Sequence, residues 1–163
     1  MWAPGGTLLP FCQRCTGFYA GAAVALVLHL GLRIRPTARF LQVHGGFLML
    51  MIPFGYHWVP QDALVRCLSG VLCGTGVVSF LWLLPGPRIC LTEFLSRWRL
   101  IVYTAGIAVA LAAIPASATW GGQDARYALV GLATCGLGGL AMLAAANAGL
   151  GLTSLGRAPG RAQ

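Results

Sequence analysis

The chain has 163 residues, of which 58% are hydrophobic and only 9% charged, with a mean hydropathy of +0.78. A soluble domain carries about 25% charged residues, so a water-soluble fold of this size is excluded. The formal net charge of +8 would point to nucleic acid in a soluble protein, but it comes from 11 arginines placed where they read as topology; nucleic acid is not an expected partner.

Cutting the chain at Asp, Glu and Arg leaves five uncharged runs, 15–32, 40–61, 67–87, 100–123 and 127–156. Each reaches the roughly 17 to 20 residues that carry a helix across about 30 Å of hydrocarbon. A transmembrane barrel would alternate polar and apolar positions, whereas these runs are continuously apolar, and helices satisfy the backbone in lipid. The expected fold is all-α: a polytopic transmembrane helical bundle of about five spans, approximately 15–32, 40–57, 64–84, 100–118 and 127–150. They form one domain over 1–156, followed by a short basic cytoplasmic tail, 157–163.

In chain order, residues 1–14 make a short outer segment with Pro4, Gly5, Gly6 and Pro10, too small to fold alone. No basic residue precedes Arg14 and three arginines follow the first apolar stretch, the reverse of a secretory signal, so the first helix is expected to stay as an anchor. Pro36 breaks the chain in the tight loop 33–39. The second run holds Gln42, His44, Pro53 and His57 and is expected to be kinked or partly re-entrant. The remaining connections are 57–61, 85–99 and 119–125, none large enough for a soluble domain.

Eight arginines (33, 35, 39, 88, 97, 99, 157 and 161) fall in the first and third connections and the tail, and Arg14, Arg66 and Arg126 fall on the other side. The positive-inside rule then puts the N-terminus outside and the C-terminus inside. Trp2, Trp58 and Trp120 at outer ends and Trp82 and Trp98 at inner ends match an aromatic belt. Small residues recur four apart at Gly17, Gly21 and Ala25, at Gly70 and Gly74, at Gly106 and Ala110, and at Ala141, Ala145 and Gly149. Such rows let helices approach closely in lipid and predict a compact bundle.

This topology collects Cys12, Arg14, Cys15, His57, Asp62, Arg66 and Cys67 at the outer interface, joined by Asp124 and Arg126. Cys12 and Cys15 flank Gln13 and Arg14 where the first helix begins, and a cysteine at a helix N-terminus beside a cation has a stabilised thiolate. The pair has three readings: a dithiol–disulfide couple; part of a metal site with partners among His57, Asp62 and Cys67; and a permanent disulfide or inert thiols. Asp62 and Arg66, four apart, suit capping plus ion pairing, and Asp124 is placed to cap the last helix. Arginines near three helix N-termini oppose the dipole; a shared anion at Arg14, Arg66 and Arg126 would relieve this, as would snorkelling to headgroups. His29 and His44 flank one inner loop as a candidate pair, more simply packed and hydrogen-bonded. Cys73, Cys90 and Cys135 read as small fillers, and Asn147 as an interhelical hydrogen bonder.

The string Cys12-Gln13-Arg14-Cys15-Thr16-Gly17-Phe18-Tyr19-Ala20-Gly21 resembles the signature of a family of small multi-pass bacterial membrane proteins known only as a domain of unknown function. That signature is C-x-R-C-T-G, an apolar residue, then Y-x-G. Its second motif, an Asp-Gly before an arginine and a Thr-Gly, corresponds to Asp62-Ala63, Arg66 and Ser69-Gly70, with Ala for Gly and Ser for Thr. The resemblance covers roughly 11–84 and implies a multi-pass protein of the bacterial plasma membrane, without supplying an activity. Family members carry a Cys-His pair upstream of this signature that residues 1–11 do not hold: either the true start lies upstream of Met1, or this member lacks those groups and, where they belong to a metal site, is a degraded version.

Three functions therefore compete: an outer-face thiol or metal site at Cys12 and Cys15; a non-enzymatic module binding or transporting an anionic lipid or solute through Arg14, Arg66 and Arg126; and a structural subunit whose small-residue faces meet another membrane protein or a second copy. The bilayer is the expected surrounding in all three. No nucleophile elbow, phosphate-binding glycine loop or H-E-x-x-H is present. Three acidic residues argue against paired-carboxylate catalysis, and enzymatic activity stays open.

Overall fold

The computed structural model describes residues 9–34, 36–56, 58, 62–83 and 97–156. No β-strand occurs among them; the elements are α1 (Gln13–Leu32), α2 (Ala38–Met49), α3 (Met51–Gly55), α4 (Ala63–Leu81), α5 (Arg97–Thr119) and α6 (Gln123–Gly156). Among the described residues, α1, α4, α5 and α6 are long and apolar enough to cross a membrane. The second apolar run is a shorter stretch over Ala38–Phe54. It is interrupted at Leu50, between α2 and α3. Pro53 explains the interruption: it has no N–H for the carbonyl of Met49, and its ring crowds that carbonyl.

Local chemistry sets the helix starts. Cys12 caps α1 and Asp62 caps α4, the Asp62 carboxylate accepting from the Val65 N–H at 2.7 Å. Thr37 caps α2 through the Phe40 N–H, at 3.2 Å. Replacing Asp62 with alanine is expected to destabilise the protein by about 1 kcal/mol, read as a lower unfolding midpoint in detergent, with Asp62→Asn largely restoring it. Asp124 lies within the first turn of α6 instead of at its cap, where its charge still favours the dipole.

Glycine contacts give the packing and its direction. A Cβ on Gly17 would run into the carbonyl of Cys67, and one on Gly21 would lie 2.7 Å from that of Val71. Reciprocally, Gly70 faces the carbonyl of Arg14 and Gly74 that of Phe18. Residue numbers rise together on both sides, so α1 and α4 run parallel with their backbones in contact. Gly136 meets the carbonyl of Tyr19, and Gly139 meets Leu26, which makes α6 parallel to α1 as well. Against α4, Gly45 faces Phe80 and Gly76 faces Leu48; numbers now run oppositely, so α2 is antiparallel. Gly106 of α5 meets Leu28, while Ala110, Ile114 and Ala118 pack with Leu9 and Ala20 nearer the start of α1, so α5 is antiparallel too.

Helix α1 is therefore the central element, touching α4, α5 and α6. The core lies along it in three groups: Leu9, Ala20, Cys67, Val71 and Leu129 near its N-terminus; Ala22, Ala25, Val78 and Leu143 in the middle; Ile34, Phe40, Tyr103 and Ile107 at its C-terminus. Val27, Val109 and Met142 are exposed, as apolar side chains are where a helix meets lipid. The small-residue rows behave unequally. Those of α1 and α4 interlock, but Ala141, Ala145 and Gly149 of α6 are exposed, because α6 approaches α1 through Gly136 and Gly139, on another face.

Candidate functional site

At the N-terminal end of α1, Cys12 is the exposed cap residue and Cys15 is half-buried one turn later. The Cys15 N–H donates to the Cys12 sulfur at 3.4 Å. Both the N–H and the hydroxyl of Thr16 donate to the Cys12 carbonyl, at 2.8 and 3.0 Å, which ties the extended Cys12 backbone to the helix. Partial burial pushes the Cys12 thiol up, but hydrogen bonds from Cys15 and the Arg14 N–H, with the Arg14 charge, outweigh it and hold the thiol below its ordinary value. A helix N-terminus beside a cation favours the thiolate form of a cysteine in this way.

Arg14 does something the sequence did not show. Its guanidinium donates to the carbonyl of Phe54 in α3 at 3.2 Å. Because α2–α3 runs opposite to α1, the N-terminus of α1 lies beside a helix C-terminus, where a cation is favoured. The apparent conflict with the α1 dipole is thus answered by a neighbouring chain segment. Arg66 lies half-buried in the first turn of α4, one turn before the Gly70 that touches the Arg14 carbonyl. Arg126 lies in the first turn of α6. Parallel packing of these helices puts all three arginines at the same end of the bundle.

Cys67 departs from its expected place. It is 0% exposed, inside the group of Leu9, Ala20 and Val71, because the Gly17 contact closes over it. It cannot serve as a surface partner of Cys12 without opening the α1–α4 seam. Asp62 is exposed and committed to capping α4. His57 and Cys90 lie outside the described residues, among which no three His, Cys, Asp or Glu side chains form a group able to hold a metal ion. Cys73 is buried as expected of a filler, whereas Cys135 is exposed.

The opposite end of the bundle holds the other polar cluster. His29 and His44 are 1% and 2% exposed. They do not bond to each other: His29 Nδ1–H donates to Ala25 O at 2.8 Å and His44 Nδ1–H to Phe40 O at 2.7 Å. Tyr103 of α5 donates its hydroxyl to His44 Nε2 at 2.6 Å. Tyr103 was the missed member; a lone Tyr-Thr pair inside an otherwise apolar run was its only mark in the sequence. Asn147 of α6 donates to Leu81 O of α4 at 2.9 Å, the interhelical bond expected of it.

Helix lengths, apolar lipid-facing side chains and glycine-mediated packing define a polytopic helical integral membrane protein. Over residues 3–80, which take in α1 to α3 and nearly all of α4, the chain matches the profile of the family described as "Predicted membrane protein (DUF2085)". The matched residues include the Cys12–Gly21 string, and α5 and α6 lie beyond them. No curated protein and no solved structure matches the chain.

Proposed function

We propose that Cys12 and Cys15 act as a dithiol–disulfide couple at the membrane surface, in a multi-pass protein of a bacterial plasma membrane with its N-terminus outside. The observation that carries this reading is the asymmetry of the pair: an exposed Cys12 at the helix cap with its thiol held below the ordinary value, and a half-buried Cys15 one turn behind it. An accessible nucleophile and a shielded resolving thiol are what disulfide exchange needs. A metal role for Cys12 and Cys15 would need further ligands, whereas exchange needs only these two sulfurs. Arg14 supports the thiolate by charge and is itself held by Phe54, so its position does not depend on an anion.

The chemistry balances within the pair and a partner disulfide of a protein in the outer compartment. The Cys12 thiolate attacks one partner sulfur, forming a mixed disulfide and releasing the other partner sulfur as a thiolate. That thiolate is protonated; Cys15 gives up its proton, attacks the Cys12 sulfur, and the second partner sulfur leaves. The partner gains two electrons and two protons, and the couple becomes the Cys12–Cys15 disulfide. A partner dithiol drives the same steps backwards.

The test is the pH dependence of alkylation at Cys12 in a Cys15→Ser background, followed by peptide mass spectrometry. The thiolate is the reactive form, so the rate rises as pH passes the thiol's pKa and falls away below it. The expected midpoint lies below that of a free cysteine, about 8.5; a midpoint at or above the free value would remove the basis of the proposal.

A further inference from the structure

We propose that His29 and Trp82 form a binding site for a single hydroxyl group, which donates to His29 Nε2 and accepts from the indole N–H of Trp82. The site stands apart from the thiol pair, at the C-terminal ends of α1 and α4.

The Ala25 carbonyl can only accept, so His29 Nδ1 carries the proton and Nε2 presents a bare lone pair. That nitrogen is buried in a side chain 1% exposed and has no hydrogen-bond partner among the described residues. Its counterpart His44 has the same tautomer, but its Nε2 accepts from Tyr103. The fold therefore satisfies one of two equivalent imidazoles and leaves the other open. A second orphan lies beside it: the Nε1–H of Trp82 is buried and unpartnered, on a ring whose centroid is 5.8 Å from that of His29. One orphan accepts and the other donates. The two rings are in edge contact, and an oxygen about 2.9 Å from each nitrogen would satisfy both.

The surroundings narrow the chemistry. Phe40 and Tyr103 lie with ring centroids 6.0 and 5.7 Å from His29, so the walls are aromatic. A ligand with acceptors only, such as a quinone carbonyl, leaves the Nε2 lone pair unmet; an ammonium satisfies Nε2 but not the indole N–H. A hydroxyl does both. A buried polar group left unmet carries its full desolvation penalty, which a hydroxyl removes for both. Two sources supply that group: water, held between two polar partners as buried waters are, or the O–H of a ring alcohol dissolved in the bilayer.

Full-length protein labelled with 15N-histidine in lipid nanodiscs, read by NMR with His29 assigned through His29→Gln, separates these outcomes. The probe is decylubiquinol, with its oxidised quinone as control. The expected result is a His29 Nε2 resonance displaced upfield from the value of a bare imidazole nitrogen. Trp82→Phe, which keeps the ring and removes the N–H, should shift it markedly. Magnetisation transfer from water in lipid alone identifies water as the source. A further shift with the quinol but not the quinone identifies a bilayer alcohol. A resonance at the bare value with and without quinol would overturn the site. So would a displaced resonance with neither water transfer nor a quinol response, since the indole would then bond His29 directly.

Discussion

Alanine at Gly17 and Gly74 together is expected to force α1 and α4 apart. In an exposed helix, glycine to alanine is worth up to about 1 kcal/mol of added stability, and that is the outcome expected at Gly138, whose Cβ position meets nothing within 4 Å. At the α1–α4 seam the sign reverses. The new methyl groups would overlap the carbonyls of Cys67 and Phe18, and backbone cannot move aside as a flexible side chain does. Overpacking typically costs about 1–3 kcal/mol per site, and an obstructing backbone places these two at the upper end. Unfolding in detergent, followed by circular dichroism, should show a loss of several kcal/mol for Gly17→Ala/Gly74→Ala and no loss for Gly138→Ala. Equal effects at seam and open face would mean that α1 and α4 do not touch as described. The seam also shields Cys67, so the double variant should make that thiol react with a maleimide it otherwise resists.

The second large effect concerns the thiols. If Cys15 resolves the mixed disulfide formed at Cys12, Cys15→Ser should stop the reaction half-way, leaving Cys12 joined to its partner. Non-reducing gels of cells carrying this variant should show a higher-mass adduct that collapses with reductant, and Cys12→Ser should abolish it. Loss of the nucleophile and loss of the resolving group thus have opposite signatures, which two inert interfacial thiols would not produce. Cys67→Ala should leave the adduct unchanged, because a sulfur buried between Ala20 and Val71 takes no part.

Much of this arrangement is legible before any coordinates. The apolar runs give the long helices because a backbone in lipid must satisfy itself locally. The cap at Asp62 marks where α4 starts, whereas the capping role of Cys12 at α1 emerges only in the fold. The glycine rows of α1 and α4 read as faces of close approach and are that. Pro53 announces the interruption of the second run, though not that its two pieces would stay as short as α2 and α3.

What the sequence hides is partnership across the bundle. Nothing in the string around Arg14 points to the Phe54 carbonyl 40 residues away, since a backbone acceptor has no sequence signature. His29 and His44 flank one loop and invite pairing, but each turns its Nδ1–H back to a carbonyl of its own helix, and α5 brings Tyr103 to His44. Cys67 follows Arg66 as Cys15 follows Arg14, yet its side chain falls on the buried side of the seam. The row of α6 has the same spacing as that of α1, but spacing alone does not say which face is packed, and here it is the face holding Gly136.

Cys12 and Cys15 should interconvert between dithiol and disulfide in the folded protein. Mass spectrometry of the peptide spanning both residues, from protein in nanodiscs equilibrated with oxidised or reduced glutathione, tests it most directly. The peptide should be two hydrogens lighter after oxidation and fully restored by reduction, with Cys67 and Cys73 unmodified in both states. Two free thiols after oxidation, or a disulfide that the reduced buffer cannot open in the folded protein, would contradict it.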